Sequence, residues 1–193
     1  MQRQAILSAE EIKLERPSEP FGPGLVQIFT GDGKGKTSAA LGTVVRALGQ
    51  GLKVFIIFFM KGDYAYGERN TLKKLPGVTV MGFGSDDFVY PDRIKPEQIA
   101  QARQALEAAR EAVLSQKYDV VVLDEINLAA TFKLIAVEDV MQLIKDKPRN
   151  VELILTGRRA DPRLIQMADM VTEMVKIKHP FDQGIPSRRG IEY

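Results

Sequence analysis

The 193-residue chain is 45% hydrophobic and 27% charged, which suits one full α/β core and is short for two independent domains. Its formal net charge is only +2, which argues against the uniform basic field expected of a nucleic-acid or anionic-membrane binder. There is no cysteine and a single histidine, His179, which excludes disulfide staples and any His/Cys cluster with zinc or iron–sulfur spacing.

Residues 1–24 read as an N-terminal arm. Ser8 and Glu11 form an S-x-x-E helix start, and Pro17, Pro20 and Pro23 end any regularity before the core. A frayed end and a flap over a site are equally compatible with this composition. The first residues lack the apolar core of a signal peptide, and no later run approaches the roughly 18 residues of a membrane span. The expected setting is the cytoplasm, which a chain without cysteine suits.

From Leu25 to the end the chain reads as one domain, residues 25–193. Runs at 25–30, 54–60, 78–83, 120–123, 151–156 and 171–177 read as strands. Several lack polar alternation, as in strands covered on both faces. Helical stretches separate them. Residues 37–48 place Ala40, Leu41, Val44, Ala47 and Leu48 on one side, with Gly49 and Gly51 as stop signals. Residues 96–116 repeat Ile99, Ala102, Leu106, Ala109 and Val113 at steps of three and four. Such alternation predicts an α/β fold with a mostly parallel central sheet and ligands at the carboxyl ends of its strands.

Immediately after the first strand comes Gly31-Asp32-Gly33-Lys34-Gly35-Lys36-Thr37-Ser38, followed by the first helix. Glycines here let backbone N–H groups turn around an anion, and the helix adds the positive end of its dipole. Lys36 is placed to reach terminal phosphate oxygens, and the Thr37 hydroxyl to complete the shell of Mg2+. The ordinary G-x-x-x-x-G-K-[ST] pattern needs a glycine at position 30, where this chain has Thr30. The loop is therefore a shorter variant. The fourth strand ends in Asp124 and Glu125, either of which can hold the hard cation directly or through water. An acidic pair that merely starts the next helix is the structural alternative.

The run from Gly31 to Ala40 resembles the loop of P-loop ATP:corrinoid adenosyltransferases, including the missing first glycine. Three further segments resemble the same family: Gly67-Glu68-Arg69-Asn70, Thr156-Gly157-Arg158-Arg159, and the ending from Lys178 to Ile185 with Gly190-Ile191-Glu192-Tyr193. The resemblance implies a three-layer P-loop NTPase fold of the RecA-like kind. It also implies attack of Co(I) on the 5′ carbon of ATP, release of triphosphate, and a homodimer. Reduced cobalt is itself the nucleophile, so no Ser–His pair or thiolate is needed, although an electron donor must bring Co(II) to Co(I).

On this reading the whole loop, Gly31 to Ser38, binds ATP, and the resemblance adds Arg46, Glu68, Asn70 and Arg158. Arg46, Arg158 and Arg159 can pair with phosphate or ribose, or remain solvated. Glu68 and Asn70 can contact adenosine, or simply start a helix. Phe83, Phe88 and Tyr90, after the third strand, are the candidates for covering the corrin ring and keeping water from cobalt, with plain core as the alternative. His179 is expected to hydrogen-bond or pack, because a tight imidazole ligand would hinder Co(I) chemistry. The phosphate loop alone also serves an ATPase, a small-molecule kinase or a non-catalytic corrinoid carrier. No segment supplies the in-line water residue, or the lid and acceptor base, that the first two need.

Overall fold

The apolar runs form six strands: β1 (Val26–Thr30), β2 (Val54–Phe58), β3 (Val78–Gly82), β4 (Val120–Asp124), β5 (Glu152–Thr156) and β6 (Met170–Glu173). They pair in the order β3-β2-β4-β5-β1-β6, and every pairing is parallel. The computed structural model describes residues 22–62, 66–85 and 88–193. The helix start predicted at Ser8 and Glu11, with Pro17 and Pro20, lies outside these residues.

Both faces of the sheet are covered, which explains the unbroken apolar runs. On one face Phe29, Val54, Ile56, Phe58, Val122 and Ile154 pack with Ala40, Val44, Ala47 and Leu48 of α1 (Lys36–Gly49) and Leu72 of α2 (Gly67–Leu72). On the other, Ile28, Ile57, Leu123 and Leu155 pack with the alanine stripe of α3 (Pro96–Leu114), with α4 (Ile126–Thr131), with Val140 and Leu143 of α5 (Val137–Asp146), and with Leu164 of α6 (Pro162–Met167). The result is three layers, with each fully buried aliphatic side chain contributing about 1.5–3 kcal/mol relative to exposure.

Three strands end earlier than the hydrophobic runs suggested. Beyond β2, Met60 takes a left-handed φ of 54° and turns the chain out of the sheet. Beyond β3, the Phe83 N–H still donates to the Phe58 carbonyl, but the strand stops at Gly82. The predicted sixth strand ran to residue 177, whereas β6 stops at Glu173. Its extension instead crosses the phosphate loop, where the Gly33 N–H donates to the Met174 carbonyl at 2.6 Å. A Cβ at Gly31 would lie 2.5 Å from the Met174 oxygen and one at Gly33 2.7 Å from it. These two glycines are therefore required by the crossing chain, and the Gly33 amide is not turned inward as expected for an anion cradle. Gly51, at φ 72°, ends α1 as foreseen: the Leu52 N–H behind it donates to Ala47.

Candidate functional site

β1, β5 and β4 lie side by side, so their carboxyl ends deliver Thr30, Thr156 and Asp124 to one edge. Thr30, in place of the usual first glycine, is buried, and its hydroxyl accepts a hydrogen bond from the Ala160 N–H at 3.1 Å. The substitution thus ties the turn after β5 to the phosphate loop. Gly35, at φ 122°, precedes α1 without a side-chain cap, so the first helical N–H groups face the loop with no side chain bonded to them. Lys36 is buried and folds back so that Nζ donates to the Gly33 carbonyl at 2.7 Å. Burial, with Arg158 nearby, holds its ammonium below the ordinary range against the pull of Glu125, Asp32 and Asp124.

Asp124 is the electrostatic centre of the site and is 1% exposed. Its Oδ1 accepts from Thr37 Oγ1 at 2.9 Å and from Thr156 Oγ1 at 2.6 Å, while Oδ2 takes Lys61 Nζ at 2.6 Å. Burial alone would raise its pKa, but the Lys61 charge and three hydrogen bonds prevail and hold the carboxyl below its ordinary value. For Lys61, burial works against the charge, yet Asp124 and Glu125 outweigh it and push the ammonium above its ordinary value.

Glu125 follows at φ 65°, a left-handed residue at the start of α4, a conformation costing about 1–3 kcal/mol outside glycine. Its N–H donates to Thr156 Oγ1 at 3.0 Å, and its Oε2 is buried without a hydrogen-bond partner among the described residues. Burial, reinforced by Asp124, pushes this carboxyl above its ordinary value.

These shifts have opposite signs for stability. Glu125 binds its proton more tightly folded than unfolded, so its contribution falls as pH rises from 4.5 through the raised folded value. Asp124 contributes above 3.8, and that contribution is lost as pH falls through its depressed folded value. Lys61 contributes below 10.5 and loses its effect as pH rises through its raised folded value. Glu125→Gln is therefore expected to unfold at higher urea than the parent at neutral pH, with the two midpoints converging below pH 4.5. Equal midpoints at neutral pH would show that Glu125 is not destabilised by its surroundings.

Two cavities meet at this edge. One, of about 670 Å3, is lined by Gly33 to Ser38, Lys61, Glu68, Glu125, Arg158, His179 and the chain end Gly190 to Tyr193. The other, of about 460 Å3, is mainly apolar and is lined by Phe59, Met60, Phe88, Leu128 and Phe132. Lys61, Tyr66, Glu125, Glu192 and Tyr193 line both.

Most of the predicted nucleotide residues converge on the first cavity: Gly33, Lys34, Gly35, Lys36, Thr37, Ser38, Glu68, Arg158 and Glu125. Gly31, Asp32, Arg46 and Asn70 do not line it. Gly31 is taken by the Met174 crossing, Arg46 is exposed on the last turn of α1, and Asn70 points to solvent on α2. Arg159, at φ 55°, lines a separate groove between α3 and α5. Of the three aromatics, Phe88 lines the apolar cavity and is 83% exposed; Phe83 packs against the core, and Tyr90 is exposed away from the cavity. His179 does hydrogen-bond, its Nδ1 accepting from the Phe181 N–H at 3.2 Å, while its ring lines the phosphate-loop cavity.

Of the five residues that line both cavities, only Glu125 was expected at the site; Lys61, Tyr66, Glu192 and Tyr193 were not. Lys61 stands three residues past β2, and that position at a strand's carboxyl end was the available signal. Glu192 is drawn over the loop by its ion pair to Lys34 at 2.9 Å, a long-range closure with no local pattern, while Arg188 four residues earlier holds it at 3.0 Å.

The three-layer parallel sheet, with Gly-Lys-Thr opening α1 directly after the loop that follows β1, defines a P-loop NTPase fold of the RecA-like class. In agreement, the fold resembles the flagellar accessory protein FlaH of Methanocaldococcus jannaschii, with a TM-score of 0.53 at 15% identity over 79% of this chain and 71% of that one. Within that class, the model of the family ATP:corrinoid adenosyltransferase BtuR/CobO/CobP matches residues 23–193, and the chain belongs to this family. It is 37% identical to the corrinoid adenosyltransferase of Sinorhizobium sp. over 88% of this chain and 80% of the relative. It is 36% identical to that of Escherichia coli K12 over 88% and 86%, and 33% identical to that of Pseudomonas aeruginosa over 100% and 93%. By family the protein is an enzyme, a transferase that adenosylates corrinoids with ATP.

Proposed function

We propose that the phosphate-loop cavity holds ATP, that the adjoining apolar cavity receives the corrinoid, and that the 5′-deoxyadenosyl group passes between them as triphosphate leaves. The observation that carries this reading is the shared wall of the two cavities, where a group bound in one meets a group bound in the other. Co(I) supplies the electron pair of the new cobalt–carbon bond, and the pair of the broken C5′–O bond departs with triphosphate. The protein's contribution is alignment and neutralisation of the leaving charge.

Lys36, now on the Gly33 carbonyl, turns to phosphate, assisted by Lys34, Ser38, Arg158 and the first amides of α1. Glu68 faces the same cavity and suits the adenosine end. Phe88 covers the ring, with Met60 and Phe132 in place of Phe83 and Tyr90.

Mg2+ fits the donors present. The Thr37 hydroxyl gives its proton to Asp124 and keeps lone pairs free, and Glu125 Oε2 lacks a partner among the described residues. No cluster of three or more His, Cys, Asp or Glu side chains occurs among the described residues, which suits a cation that keeps waters and substrate phosphates as ligands. When bound, Mg2+ would neutralise phosphate charge.

The protein is further read as a cytoplasmic homodimer served by a separate electron donor. Among the described residues no helix is long and apolar enough to cross a membrane.

The test supplies ATP, Mg2+ and chemically reduced corrinoid and follows the visible spectrum and phosphate products. Light-sensitive adenosylcorrinoid with triphosphate is the expected outcome. Orthophosphate formed without corrinoid would point to an ATPase, and binding without product to a carrier.

A further inference from the structure

Lys61 is the one lysine or arginine among the described residues lining both cavities. Its side chain is 14% exposed, and its ammonium lies 5.3 Å from the Phe58 ring centre and 5.0 Å from that of Tyr66. A buried lysine whose only task was to pair Asp124 would not need to face either cavity.

The backbone beneath it is fixed with unusual thoroughness. The Lys61 N–H donates to the Phe83 carbonyl at 3.0 Å. The Arg69 guanidinium donates to the carbonyls of both Lys61 and Gly62 and stacks 4.7 Å from the Phe58 ring centre. Three glycines make room: a Cβ at Gly62 would meet the Gly84 oxygen at 2.8 Å, one at Gly82 the Arg69 guanidinium at 2.8 Å, and one at Gly84 the Met60 carbon at 2.8 Å. The turns after β2 and β3 thereby hold Lys61 as a preorganised cation, which costs little reorganisation when charge develops beside it.

We propose that Lys61 is a catalytic residue that engages the reacting end of the triphosphate, leaving Asp124 as charge builds on the oxygen released from C5′. Resting on the adenosyl-transfer reading, the step keeps its balance: cobalt gives the electron pair to C5′, and the C5′–O pair goes onto triphosphate. Lys61 remains protonated and changes partner only. Lys36 and Lys61 then hold the leaving group from two sides, one from the phosphate loop and one from the cavity seam.

The test compares the full-length parent, Lys61→Met and Lys61→Arg with ATP, Mg2+ and chemically reduced corrinoid, together with inhibition by inorganic triphosphate. Loss of one such donor is expected to lower kcat about 100-fold with the KM for ATP within about threefold, and to weaken triphosphate inhibition at least about tenfold. Lys61→Arg, which keeps the charge, should recover much of both. Full activity with unchanged triphosphate inhibition in Lys61→Met would overturn the proposal. Should Lys61→Met fail to fold by circular dichroism, Lys61→Arg decides: recovery of triphosphate inhibition with kcat near the parent supports it, and loss of both overturns it. A parent that forms no adenosylcorrinoid defeats the transfer reading itself, whatever the variants do.

Discussion

Lys36→Ala is expected to lower kcat for adenosyl transfer by about 100- to 1,000-fold, the usual loss when one preorganised donor to developing charge is removed. Its folding cost should be small. The side chain makes one hydrogen bond, to the Gly33 carbonyl, about 1 kcal/mol, and part of that is offset because burial already disfavours its charge. A thermal midpoint within about 2–4 °C of the parent follows for a chain of this size. Steady-state kinetics with reduced corrinoid, run beside thermal unfolding, separate the two effects. Transfer at the parental rate would remove the phosphate loop from the mechanism.

Asp124→Ala is expected to be the most damaging single change for the fold. It leaves the Lys61 ammonium without its 2.6 Å partner and the Thr37 and Thr156 hydroxyls without an acceptor. Breaking a buried pair from one side costs about 3–5 kcal/mol, measurable as a lower urea midpoint. The double variant Asp124→Ala with Lys61→Met removes the lone charge and should recover about 1–3 kcal/mol of that loss. Strict additivity of the two single changes would show that the pair is not coupled.

Much of the fold was readable because it rests on local patterns. Unbroken apolar runs meant strands covered on both faces, the stop at Gly51 held, and of the α3 series Ala102, Ala109 and Val113 are buried with Ile99 and Leu106 packed at the edge of the same core. The phosphate loop was readable for the same reason: strand, glycines, Gly-Lys-Thr and helix occur in consecutive residues. What could not be read depends on contacts between distant segments. Gly33 reads as an anion cradle in sequence, but its amide is used by Met174, 141 positions later by the numbering. Lys61 carries no local motif, and its place at the site follows from β2 pairing with β4, which aligns Phe58 with Asp124. Phe83, Phe88 and Tyr90 read alike in sequence, yet of the three Phe88 alone lines the apolar cavity. Arg46 illustrates the converse: it shares a helix with Lys36, but ten residues of α1 carry it to the far end, about 15 Å at 1.5 Å per residue.

On the proposed reading the phosphate loop holds triphosphate as a group leaving carbon, in contrast to a phosphoryl group being transferred. ATP carrying 18O at the position bridging C5′ and the first phosphorus distinguishes the two. With reduced corrinoid and Mg2+, the label is expected in intact triphosphate, one per adenosylcorrinoid formed. Label retained on the nucleoside, with orthophosphate as the released product, would contradict it.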